Sequence, residues 1–214
     1  MTTAFCAGTS IRRIVESLPT EEAQHMHRVS ILIDILTRRL YGLDIYEQYS
    51  DEYKYFGEAA AYHDIGKAWV PKNILIKPGN LTEEETFTIR QHPMFAKELF
   101  DQINNGSVPD IARHLVKPAF DSAVYHHEWW NGNGYPYGIS SIDIPLIARI
   151  TSICDAYDAI ISDRVYRKAH THCYACSELE ANAGTQFDPT LVRIFLDNDA
   201  EFSRCLIKRR PVCE

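Results

Sequence analysis

The sequence predicts an all-α fold on three observations. Apolar residues recur at three- and four-residue steps rather than in alternation, helix start and stop signals punctuate the chain, and there is no internal repeat or low-complexity linker. At 214 residues with 45% hydrophobic content, the chain can bury one substantial core. We expect a single domain over residues 20–197, with 1–19 as a lead-in and 198–214 as a tail.

The first predicted helix starts at Glu21. After His25, the residues Val29, Leu32, Leu36 and Leu40 form one apolar stripe, which turns His25 inward. The second is expected over Glu52–Ile65, with Phe56, Ala59, Ala60 and His63 on one face and Gly66 closing it as a C-terminal cap. Its alanines would let another helix approach closely. Thr82 with Glu85 three residues later matches a capping box and starts a third helix. Pro93 lacks an amide donor, so that helix should break or kink with His92 at the joint. Further helices are expected around 110–128, 145–161, 172–183 and 188–197, with 131–141 as the longest irregular stretch.

Composition narrows the function. A formal net charge of −7 argues against DNA or RNA held on a broad basic face. No stretch approaches the roughly 20 apolar residues of a membrane span, and the N-terminus lacks a secretory signal, so a cytoplasmic location is expected. Six cysteines show no regular framework, and reduced thiols are expected. Cys173 and Cys176 follow His170 and His172, but no second CxxC or distal histidine pair completes a zinc motif, so these read as incidental thiols at a helix start.

Several residues carry possible metal chemistry. His63-Asp64 offers an imidazole beside a carboxylate able to bridge two cations, although an HD dipeptide alone is more often a helix-end Asp beside a core His. Glu21 and His25 are four apart and share a helix face, a spacing that suits either chelation or a first-turn Glu above a core His. His92 before Pro93 is ambiguous by itself. Asp155 sits among the apolar Ile147, Ile150 and Cys154, where a carboxylate needs a cationic partner. His126 and His127 are adjacent, so one is a bystander or the two serve different neighbours.

The strings HDIGK at 63–67, KPG.LT..E at 77–85, HP at 92–93, HHE..NG.GYP at 126–136 and D..DA....R.YR at 155–167 occur in order. As a set they are specific, and over most of residues 20–197 the chain resembles the HD-GYP subgroup of the HD metal-dependent phosphohydrolase superfamily. The resemblance implies an HD-domain helical bundle with the extra C-terminal helices of that subgroup. It implies metal ligation by His25, His63, Asp64, His92, His126, His127 and Asp155, with Glu21 at the position used by members that hold three metals. His126 and His127 would then address different ions of one cluster. Asn131, where Asp is more frequent, and Ala96, where Gly is, depart from the common pattern at positions that are not ligands.

The activity so implied is hydrolysis of cyclic di-GMP to linear pGpG, and in some members onward to GMP, by a metal-bridging hydroxide attacking phosphorus. Two or three divalent transition metal ions are expected. Family precedent leans to iron or manganese, while nitrogen and oxygen donors suit zinc, nickel or cobalt as well. Asp64 and Lys67 match catalytic positions, Lys67 as the cation on the scissile phosphate. Lys67, Gly134, Tyr135, Pro136, Asp158, Arg164 and Arg167 match substrate-contacting ones. A GGDEF-domain cyclase or a separate sensor is the candidate partner. Two rivals stand beside this reading: a phosphohydrolase for another cyclic dinucleotide such as cyclic GMP-AMP, and a non-catalytic nucleotide- or partner-binding module. The complete ligand set argues against the second.

Overall fold

A computed structural model describes residues 10–106, 111–163 and 168–207, with side chains to residue 204. Every regular element among them is helical. In chain order these are α1 (Ile11–Ser17), α2 (Thr20–Arg38), α3 (Phe56–Ala60), α4 (Lys72–Leu75), α5 (Glu83–Ile89), α6 (His92–Asn104), α7 (Arg113–Tyr125), α8 (Leu146–Ile161), α9 (His172–Ala181), α10 (Pro189–Leu196) and α11 (Asp199–Ile207). Short 3-10 helices sit between them, the important one at Ile65–Trp69.

The centre of the bundle is α2, whose Val29, Leu32, Ile33 and Leu36 have no exposed surface. It packs on α3 and α8, while α7 is sandwiched among α3, α6 and α8. The close approach of α2 to α3 depends on small residues: Ala59 and Ala60 are fully buried, and a Cβ on Gly57 would sit 2.0 Å from Asp34 Oδ1. A buried Leu cut to Ala in such an interface costs about 2–5 kcal/mol.

The capping box forms, with Glu85 N–H bonded to Thr82 Oγ1 and Thr82 N–H to Glu85 Oε2. At Pro93 the chain breaks as expected: α5 ends at Ile89, and α6 restarts with Pro93 in its first turn, where no amide donor is needed. The long helix expected over 52–65 is instead a 3-10 turn at Tyr53–Tyr55, the short α3, and a turn carrying His63 and Asp64. Gly66 therefore caps nothing. It lies inside the 3-10 helix because a Cβ there would stand 1.9 Å from the His92 carbonyl oxygen.

The flanks contribute structure too. In α1, Ile11 and Ile14 are buried; in α11, Phe202 is fully buried and stacks on Phe195. No described helix is long and apolar enough to cross a membrane.

Candidate metal centre

Three helix ends and α2 converge on Asp64. His25 comes from the second turn of α2, His63 and Asp64 from the turn after α3, His92 from the start of α6, and His126 and His127 from the end of α7. Asp64, His92, His126 and His127 form one group of mutually close donor atoms, and His25, His63 and Asp64 form another. Asp64 belongs to both, and its two oxygens face opposite ways. Oδ2 lies 3.2 Å from His63 Nε2 and 3.6 Å from His25 Nε2, whereas Oδ1 lies 3.2 Å from His92 Nε2 and 3.8 Å from His126 Nε2. That is how a bridging carboxylate is presented.

Hydrogen bonds on the far side of each ring fix the tautomers. Nδ1 of His63 donates to Ala60 O at 2.9 Å, that of His92 to Ile89 O at 2.8 Å, and that of His126 to Ser122 O at 2.9 Å. A carbonyl only accepts, so Nδ1 carries the proton and each Nε2 keeps a lone pair aimed inward. The buried Nε2 atoms of His63, His92 and His126, together with Asp64 Oδ1, have no hydrogen-bond partner. Buried polar atoms are ordinarily satisfied, and four orphans pointing at one place fit divalent cations held by nitrogen and oxygen.

Electrostatics follow the donors. Burial, reinforced by His63, pushes the His126 pKa down to about 3. Burial lowers those of His92 and His127 too, keeping these imidazoles neutral as ligands must be. Burial opposes charge on His25 as well, but the hydrogen bonds it donates to Asp155 and Asp158 outweigh it and raise its pKa to about 9. The arrangement that holds a proton on His25 Nε2 would hold a divalent cation in its place. Burial also opposes charge on Asp64, yet Lys67 and His63 hold it well below the usual carboxylate range. Lys67 Nζ lies 2.7 Å from Asp64 Oδ2 and 2.9 Å from Glu22 Oε2, and these acids overcome burial to keep it charged.

The expected residues are distributed unevenly. His25, His63, Asp64, His92, His126 and His127 come together. His126 and His127 enter the same donor group, so the structure does not divide them between the two groups. Asp155 Oδ1 stands 2.9 Å from His25 Nε2 at the mouth of the site, its side chain 21% exposed. Glu21 is exposed and joins neither group; its neighbour Glu22 reaches the centre through Lys67.

Asp158 departs from its expected role as a substrate contact. It has no exposed surface; one oxygen accepts from His25 Nδ1 at 2.7 Å, and Arg28 binds both oxygens at 2.7 and 2.9 Å. It is the residue that orients His25. The ring of Tyr135 stacks on His127 at 4.7 Å, its amide donates to His127 O, and the Arg90 guanidinium lies over the same ring at 5.3 Å. Gly134 permits this, since a Cβ there would meet Trp129 N at 2.2 Å, and Pro136 follows through a cis bond. Arg164 and Arg167 lie outside the described residues.

Three further residues have roles that the sequence did not assign, Glu128 although it stands within the HHE string. Glu128, only 2% exposed, accepts from the amides of Tyr137 and Gly138 at 2.7 and 3.0 Å and pins the GYP loop. Arg28 and Glu22 hold Asp158 and Lys67. Their signal was helical spacing: both lie three residues from His25 on α2 and face the same way.

Beside the centre opens a cavity of about 1200 Å3, lined by His25, Lys67, Arg28, Lys77, Lys168 and Tyr157 among others. Fold and site together define a helical protein built around a buried histidine–aspartate centre for divalent metal. The chain belongs to the HD domain family, whose model matches residues 51–191.

Among its relatives, a probable cyclic di-GMP phosphodiesterase of Vibrio cholerae is 35% identical over 90% of this chain and 44% of its own length. The cyclic di-GMP phosphodiesterase response regulator RpfG of Xanthomonas campestris is 35% identical over 91% of this chain and 48% of its own. A 3'3'-cGAMP-specific phosphodiesterase of V. cholerae is 34% identical over 90% and 34%. The chain thus spans less than half the length of these curated relatives. Bd1817, an HDG"Y"P protein from Bdellovibrio bacteriovorus, shares the fold at a TM-score of 0.59 and 18% identity, over 86% of this chain and 52% of that one.

Proposed function

We propose that residues 20–197 form a metal-dependent phosphodiesterase for cyclic dinucleotides, with cyclic di-GMP as first substrate. The observation that carries this is the pair of donor groups sharing Asp64, opening on a large cavity with cations on its walls. Bound divalent ions supply Lewis acidity, which activates water and neutralises phosphate oxygens. Nitrogen and oxygen ligands suit iron or manganese. The exposed position of Glu21 favours two ions over three.

The protein's own groups do the rest. Lys67, kept charged by Asp64 and Glu22, meets a non-bridging phosphate oxygen at the cavity wall. Asp158 and Arg28 fix the orientation of His25. Glu128 and Gly134 seat the loop so that Tyr135 covers His127 and keeps water from that side. Lys77, Lys168 and Arg28 add positive charge for the second phosphate. A GGDEF-domain cyclase or a separate sensor remains the partner this family reading suggests.

The test is anaerobic reconstitution with Fe2+ or Mn2+, metal analysis, and chromatography of products from cyclic di-GMP and 3'3'-cGAMP. Two ions per chain with pGpG or GMP as product is the expected result. Turnover of 3'3'-cGAMP alone would reassign the substrate, in line with the cGAMP-specific relative. Two bound ions without hydrolysis of either would leave a nucleotide-binding module.

A further inference from the structure

Away from Asp64, a second kind of donor cluster forms where α9 meets α11. His172 and Cys176 are four residues apart on α9 and so share a face, and Asp199 arrives from the start of α11. Their donor atoms all lie within 4.8 Å of one another. The missing partner of the CxxC segment is thus neither another cysteine pair nor a histidine. It is a carboxylate brought in by the fold.

We propose that His172, Cys176 and Asp199 bind one thiophilic divalent cation of the zinc type, separate from the Asp64 centre. Three observations support the site. First, the hydroxyl of Tyr157 lies 2.8 Å from His172 Nδ1. With Nδ1 bearing the proton toward that oxygen, Nε2 presents a lone pair to the cluster, as an outer hydrogen bond does for a metal-bound histidine. Second, the spacings match tetrahedral edges. Bonds of about 2.0 Å to nitrogen and oxygen and about 2.3 Å to sulfur place N and O about 3.3 Å apart and N and S about 3.5 Å apart. Here His172 Nε2 is 3.3 Å from Asp199 Oδ2 and 3.6 Å from Cys176 Sγ. The thiol also lies 3.7 Å from Nδ1, alongside the ring, and a side-chain rotation brings it in line with the Nε2 lone pair.

Third, the cluster is reachable. The side chains of His172 and Asp199 are 24% and 48% exposed, and His172 and Tyr157 both line the large cavity. Three protein ligands leave one tetrahedral position for water, and a thiolate among them selects zinc or cobalt over magnesium or calcium. Burial raises the Cys176 thiol pKa to about 11, so binding would release its proton. An ion here would staple α9 to α11 on a cavity wall.

Cobalt(II) is the probe, because sulfur-to-cobalt charge transfer in the near ultraviolet needs a thiolate, which the nitrogen and oxygen donors around Asp64 cannot supply. The 214-residue protein saturated with Co2+ should show this band in the wild type and in Cys173→Ser, and lose it in Cys176→Ser. Asp199→Asn should weaken cobalt binding. A wild type without the band, or a band that persists in Cys176→Ser, overturns the proposal. Should Cys176→Ser fold poorly, alkylation of the wild type decides. Zn2+ at ten times its dissociation constant should slow modification of Cys176 about tenfold while sparing exposed Cys173; equal rates with and without Zn2+ overturn the site. None of these readouts depends on phosphodiesterase activity.

Discussion

The two ends of the centre are built by different means. At one end, His92 and His126 are oriented by backbone carbonyls and surrounded by other imidazoles, and burial drives the His126 pKa down to about 3. At the other, His25 is oriented by a buried carboxylate, faces a second one, and has its pKa raised to about 9. One residue type on one scaffold is thus held neutral in one place and is a proton trap in another. The orienting group decides, since a carbonyl dipole adds little charge whereas Asp158 and Asp155 add a great deal.

Substitutions can collapse or isolate this asymmetry. Asp64→Ala removes the carboxylate common to both ends, and we expect both ions to be lost and hydrolysis to fall by about three orders of magnitude or more, as for groups acting as a unit. Metal analysis beside turnover checks it, and an Asp64→Ala protein retaining two ions would mean the ends are independent. Lys67→Met should cost about 10²–10³ in turnover with metal content intact, because the cation acts on the phosphate rather than on the ions.

Asp158→Asn keeps the shape but takes charge from behind His25. Affinity for one ion should drop about 10–100-fold while the other is unchanged, and two-step metal titration by calorimetry distinguishes the sites. Equal weakening of both would show that the ends are coupled. Thr82→Ala removes only the capping hydroxyl of α5, not a donor of the centre, and should cost about 1 kcal/mol of stability with little change in metal affinity. It is the control for general destabilisation, read by denaturant unfolding.

Much of the site was legible because metal ligands must be particular residue types. The HD dipeptide, the HP joint and the HH pair could be read as strings, and the α2 stripe turned His25 inward. Roles set by three-dimensional neighbours were not legible. Asp158 matched a substrate position through the family resemblance, yet burial beside Arg28 makes it an orienting group. Gly66 looked like a helix cap, and only the backbone of His92 explains it. The helix over 52–65 was misjudged because its apolar face continues through a turn, and burial without a regular ladder leaves the same pattern. Asp199 could not be joined to His172 from sequence, since it lies 27 positions further on, beyond the whole of α10.

The carbonyls that orient His63, His92 and His126 have a consequence of their own. Ala60, Ile89 and Ser122 belong to the last turns of α3, α5 and α7, where carbonyls have spare accepting capacity; those of Ala60 and Ser122 also accept the amides of His63 and His126. A ring gripped by an ion grips its carbonyl in turn, so three separate helix ends become one unit of local opening. Occupancy should therefore register in amide hydrogen exchange as slowed fraying of all three ends together, and release of the ions as their joint loosening while the α2 core stays closed.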